Sequence, residues 1–108
     1  MHKLAAAVDR LSAFILDMDG VLYTGEVPIK GAAEAIAHLR RKGKKLAFVT
    51  NKSAYTRREY ARTLARMGIA AHESEIVTSG YATSLYLRRR APGARIYAMG
   101  EPGLKREL

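Results

Sequence analysis

The sequence predicts an α/β fold, with a parallel sheet of about three strands between layers of helix. Three observations point there. Short apolar runs at Ala13–Leu16 and Leu46–Val49 each end abruptly in polar residues. Stretches with apolar residues at helical spacing lie between and after these runs. The connections are long enough to hold a helix, which implies parallel neighbours joined by right-handed crossovers.

Residues 1–12 hold an Ala-rich stretch interrupted by Asp9 and Arg10, read as a short leading helix or arm; residues 13–108 form the fold proper. Ala13-Phe14-Ile15-Leu16 is the first strand, apolar enough to be buried on both faces. Gly25 to Gly31, with Pro28, is read as a loop. Ala32, Ala35, Ile36 and Leu39 then repeat at i, i+3, i+4 and i+7, the mark of an amphipathic helix, and Gly43 is placed to end it. Leu46-Ala47-Phe48-Val49 is the second strand, closed by Thr50-Asn51. Thr56-Arg57-Arg58-Glu59 has capping-box spacing and opens a helix with Tyr60, Ala61, Leu64 and Met67 on one face, closed by Gly68. A third helix is expected from about Ser79 to Arg90, with Tyr81, Ala82 and Leu85 inward, before Pro92-Gly93. Arg95–Met99 is expected as the third strand, and Gly100–Leu108 as the start of another turn and helix.

At 108 residues the chain is a single domain with a modest core. No segment is apolar for the length a bilayer requires, and no secretory signal is evident. Cysteine is absent, which excludes disulfides and thiolate metal sites and fits a cytoplasmic protein. The net charge of +9 attracts anions, from phosphorylated metabolites to nucleic acid. Basic residues cluster at Arg40-Arg41-Lys42, Lys44-Lys45, Arg57-Arg58 and Arg88-Arg89-Arg90. Two of these clusters fall at predicted helix C-termini, where cations complement the dipole. Aromatic residues do not interleave with them as stacking platforms would, so solvated helix ends are favoured over a nucleic-acid surface.

Asp17-Met18-Asp19-Gly20 directly follows the first strand. Strand side chains alternate, so the two carboxylates leave on one side, where they repel unless a cation or a proton lies between them. A helix cap fits poorly, because Val21-Leu22-Tyr23 continues apolar. Thr50-Asn51 taken alone reads as a turn and helix cap. Ligands of open parallel sheets bind beyond the carboxyl ends of the strands, so both signatures should meet in one crevice. His2, His38 and His72 have no ligand spacing and are read as surface residues; Met18 is read as core filling, and Ser79-Gly80 as a helix cap. Lys52 and Ser53 divide evenly between phosphate contact and ordinary loop.

Together, Phe14-Ile-Leu-Asp-Met-Asp-Gly-Val-Leu-Tyr23 and Leu46-Ala-Phe-Val-Thr-Asn-Lys-Ser53 resemble the first and second motifs of the haloacid dehalogenase superfamily of phosphohydrolases. Tyr23-x-Gly25, Ile76-Val-Thr-Ser-Gly-Tyr-Ala82 and Ile96-Tyr-Ala-Met-Gly-Glu101 resemble its branch of 4-nitrophenylphosphatase-like and nucleotide-phosphatase-like sugar phosphatases. The resemblance implies a three-layer, Rossmann-like α/β/α core, of which residues 13–108 are the amino-terminal part, without a cap domain or the later core strands. It implies that Asp17 attacks phosphorus to form an aspartyl phosphate, needing no base because a carboxylate is ionised at neutral pH. Asp19 would protonate the departing alkoxide and then take a proton from water. Mg²⁺ would be held by Asp17 and the main-chain carbonyl of Asp19. Thr50 would bind the phosphoryl oxygens with neighbouring N–H groups, Asn51 would orient the same group, and Gly20 would let the chain turn beside it.

The superfamily's lysine and its fourth-strand acidic motif have no counterpart in the sequence. Lys44 and Lys45 precede the second strand, at the wrong end of the sheet. Lys52 stands where the branch often has Asn and is not taken as the substitute. The expectation is an incomplete, inactive piece of a magnesium-dependent phosphomonoester hydrolase acting on a small phosphorylated metabolite, with no membrane partner. It should self-associate through an unpaired edge of the first strand. A non-catalytic phosphate-binding or interaction module is the alternative, and a basic nucleic-acid-binding domain is weaker still.

Overall fold

A computed structural model describes residues 2–108, with side chains from residue 6 onward. Met1 and the His2 side chain, included in the readings above, lie outside the described residues. The leading segment forms helix α1 (His2–Arg10). Strand β1 (Ala13–Asp17) follows, then a hairpin of β2 (Tyr23–Thr24) and β3 (Val27–Pro28), helix α2 (Ala32–Arg41) and strand β4 (Lys45–Thr50). Helix α3 (Arg57–Arg66), one 3₁₀ turn (Glu73–Glu75), strand β5 (Ile76–Thr78), helix α4 (Ser79–Arg90) and helix α5 (Pro102–Glu107) complete the chain.

The α/β class and the parallel sheet are as expected. The sheet order is β1-β4-β5, all parallel. Phe14 pairs with Leu46, and Leu16 with Phe48, which in turn pairs with Ile76. Registered residues of a parallel sheet share a face, so these side chains form one apolar surface. Ile36 of α2 and Tyr60 and Leu64 of α3 join that surface in a core centred on Phe48 and Met18. The opposite face is thinly covered: Ile15 is 77% exposed, so β1 is buried on one face only.

Three local expectations are corrected. The third strand is Ile76–Thr78; Arg95–Met99 pairs with nothing among the described residues, and Tyr97 is 90% exposed. An apolar run becomes a strand only where a neighbouring backbone accepts its hydrogen bonds, and β4 has its second edge filled by β5. The stretch expected as a loop contains the β2–β3 hairpin. Helix α4 spans the expected residues, yet it buries Gly80 and Ser84 rather than Ala82 and Leu85. The seat of α5 against Gly80 sets that face, since a Cβ there would come 3.2 Å from Leu104.

Other local signals hold. Thr56 and Glu59 form the capping box of α3: the hydroxyl accepts from the Glu59 N–H at 3.2 Å, and the carboxylate accepts from the Thr56 N–H at 3.3 Å. After α2, Gly43 adopts φ +73, and the Lys44 N–H turns back to the Leu39 carbonyl at 3.1 Å.

Candidate active site

The carboxyl ends of β1, β4 and β5 lie side by side and carry the polar residues. Asp17 closes β1, in register with Val49, so Thr50 at the end of β4 stands one residue further along the adjacent strand. Thr50 in turn pairs with Thr78 at the end of β5. The sheet therefore brings Asp17, Asp19, Thr50 and Asn51 to one edge, from segments more than thirty residues apart in sequence.

Beyond β1 the chain folds into a tight loop. The Met18 carbonyl accepts from the N–H groups of Val21 and Leu22 at 3.1 and 2.8 Å, while the Met18 side chain is fully buried. Burial of Met18 leaves its two neighbours, Asp17 and Asp19, exposed at the edge. A bridge then ties Asp19 to Tyr23, with the Gly20 N–H donating to the Tyr23 carbonyl at 2.7 Å. In a parallel bridge of this kind the bonds run through the flanking residues, so the Asp19 carbonyl takes no part in it. Gly20 sits at φ +86 with open space where a Cβ would point. Glycine is demanded there by backbone conformation, not by crowding.

The Asp19 carboxylate faces two donors. Its Oδ1 accepts from the Gly25 N–H at 3.4 Å, and its Oδ2 receives the Lys52 ammonium at 3.3 Å. Lys52 thus reaches the site. The sequence leaves Lys52 evenly divided between phosphate contact and ordinary loop, since the direction of its side chain depends on how the loop after β4 folds. The Lys52 N–H donates to the Thr50 hydroxyl at 3.2 Å, curling that loop over the strand end. Ser79 was also missed: its hydroxyl donates to the Asn51 carbonyl at 3.0 Å, while the cap of α4 is Thr78, which accepts from the Tyr81 N–H at 2.9 Å. Nothing in the local pattern of Ser79-Gly80 distinguishes tethering of a remote loop from capping. Lys44 donates to the Asp9 carbonyl at 2.9 Å, at the opposite end of the sheet, as expected.

Two tyrosines back the site. Burial pushes the Tyr60 phenol up to about 12, and its hydroxyl lies 3.5 Å from the Lys52 carbonyl. Burial also raises Tyr23, helped by the charges of Asp19 and Asp17. Both phenols therefore stay protonated at neutral pH.

The donor set near β1 is all oxygen, the chemistry Mg²⁺ selects. The Asp17 carboxylate and the unengaged Asp19 carbonyl fit as two ligands of such an ion. Among the described residues no group of three Asp, Glu or His side chains converges. An ion here would keep several of its waters, as Mg²⁺ commonly does.

The profile of the haloacid dehalogenase-like hydrolase family matches residues 14–108. The chain belongs to that family. Within the family its relatives are phosphatases of the 4-nitrophenylphosphatase branch. The chain is 42% identical to human glycerol-3-phosphate phosphatase over 99% of its own length and 35% of the relative's. It is 37% identical to a chloroplastic phosphoglycolate phosphatase of Arabidopsis thaliana, covering 94% of the chain and 28% of that protein. The solved structure of a p-nitrophenyl phosphatase from Archaeoglobus fulgidus superposes with a TM-score of 0.85 at 36% identity, over 91% of this chain and 38% of that one. This haloacid dehalogenase-like chain thus spans about a third of the length of the relatives it matches.

Proposed function

We propose that this chain supplies the nucleophile, the proton donor and the phosphate loop of a magnesium-dependent phosphomonoesterase. The observation carrying this reading is the meeting of Asp17, Asp19 and Thr50 at one sheet edge, in a chain whose relatives hydrolyse phosphate esters by name. An oxygen of Asp17 attacks phosphorus as the ester P–O bond breaks, giving an aspartyl phosphate. The proton on Asp19 goes to the departing alkoxide; Asp19 then takes a proton from the water that cleaves the acyl phosphate. The Thr50 hydroxyl and the main-chain N–H groups that follow it hold the phosphoryl oxygens, with Asn51 orienting the group. Mg²⁺, held by Asp17 and the Asp19 carbonyl, would neutralise charge between the anionic nucleophile and the phosphate.

The substrate in this reading is a small phosphorylated metabolite, and the setting is the cytoplasm, suited to a chain without cysteine. Among the described residues no third acid converges with Asp17 and Asp19, so turnover by the 108 residues alone should be slight. The side of β1 away from β4, unpaired among the described residues, supports self-association. The test is binding of trifluoroberyllate with Mg²⁺, followed by ¹⁹F NMR and by amide shifts of Gly20 and Thr50–Lys52. An adduct is expected in the chain and none in Asp17→Asn. Equal binding by the Asn variant, or brisk hydrolysis of 4-nitrophenyl phosphate that survives this change, would overturn the reading.

A further inference from the structure

We propose that Ser79 is a positioning residue of the phosphate loop: by holding the Asn51 carbonyl against the start of α4, its hydroxyl keeps the Lys52 N–H on the Thr50 side, and so keeps the loop's donors facing the phosphoryl group. The inference rests on the phosphomonoesterase reading and adds to it a residue outside the two strand-end motifs. Ser79 is free for this task. The cap of α4 is filled by the buried Thr78, which accepts from the Tyr81 N–H at 2.9 Å. The half-buried Ser79 hydroxyl instead leaves its own helix and donates to the Asn51 carbonyl at 3.0 Å.

The loop needs such a tether. Among the described residues, Lys52 to Tyr55 form no hydrogen bond between main-chain groups, so side chains must fix its shape. The Asn51 carbonyl and the Lys52 N–H belong to one peptide, and in a trans peptide they point in opposite directions. Drawing the carbonyl toward α4 therefore sends the N–H to the other side, where it donates to the Thr50 oxygen at 3.2 Å. That bond occupies one lone pair of the Thr50 hydroxyl and leaves its proton for a phosphoryl oxygen. Without Ser79, rotation of this peptide would bring the Asn51 carbonyl oxygen round toward the anion, replacing a donor by a repelling acceptor.

The test titrates trifluoroberyllate with Mg²⁺ into the full chain, followed by ¹⁹F NMR, with urea denaturation of each variant alongside. Ser79→Ala should bind about fivefold more weakly, the worth of one net hydrogen bond. In the free chain it should also move the Lys52 amide nitrogen resonance, which senses a bond on the carbonyl of its own peptide. Ser79→Thr keeps the hydroxyl and should bind as the unaltered chain does. Glu75→Gln, which breaks the Arg40 ion pair at the amino end of β5, should lower stability without weakening the adduct. Full affinity in Ser79→Ala, an unmoved Lys52 resonance, or equal weakening in Ser79→Thr or in Glu75→Gln overturns the proposal while leaving the phosphate site intact. Absence of any adduct in the unaltered chain overturns the phosphomonoesterase reading, and this proposal with it.

Discussion

Arg40 on α2 belongs to a basic cluster that reads in the sequence as a solvated helix end, yet its guanidinium spans two elements. It donates to both Glu75 oxygens, at 3.1 and 2.8 Å, and to the Ala70 carbonyl, at 3.1 Å from Nε. Both side chains are less than a third exposed. The Arg40 bond, aided by the His72 N–H, holds the Glu75 carboxyl below its ordinary value of 4.5. A group depressed in the folded state adds stability that is complete above its unfolded value and vanishes as pH falls through the folded one. Urea denaturation of the chain should therefore lose stability below about pH 4.5. Glu75→Gln should be less stable by about 1 kcal/mol at pH 7 and should flatten that acid limb. An unchanged limb in the variant would assign it to other carboxylates. No local pattern announces this pair, because its partners lie thirty-five residues apart.

Helix α5 shows the same dependence on remote contacts at the scale of an element. Gly103 packs so closely on the loop after β4 that a Cβ there would run into the Ala54 carbonyl. The Glu107 carboxylate accepts from the Arg57 N–H at 2.6 Å, and Arg106 pairs with Glu59. The helix thus braces the loop between Thr50 and the start of α3. Gly103→Ala should lower stability by about 1–3 kcal/mol, the range for an overpacked contact, and should shift the Ala54 and Tyr55 amide resonances. A melt and spectrum like the unaltered chain's would show that α5 is not docked there. Elements defined by local chemistry were legible: the Thr56–Glu59 box, the Gly43 stop and the ends of α4 all matched. Those defined by pairing were not. Ile76–Thr78 is too short to carry a strand pattern, and Arg95–Met99 carries one without a partner.

At the scale of the whole molecule, the sheet is open. β1 pairs only with β4 among the described residues, and Ile15 points outward. The radius of gyration is 15.8 Å, against about 13 Å for a compact domain of this length. An unpaired edge beside an apolar face templates association, so the chain should form concentration-dependent dimers in sedimentation, weakened by Ile15→Lys. A monomer at all concentrations, with a single cooperative melt, would remove self-association from the reading. The sequence by itself determined the alternation of strand and helix, the family resemblance and the positions of Asp17, Asp19 and Thr50, because each is written in a short window of residues. Tertiary structure alone decided that β5 is the third strand, that Lys52 and Ser79 reach the site loop, and that a cleft opens between the β2–β3 hairpin and α3. Those outcomes depend on which distant backbone or side chain lies within hydrogen-bond range, and chain folding fixes that separation in space where periodicity cannot.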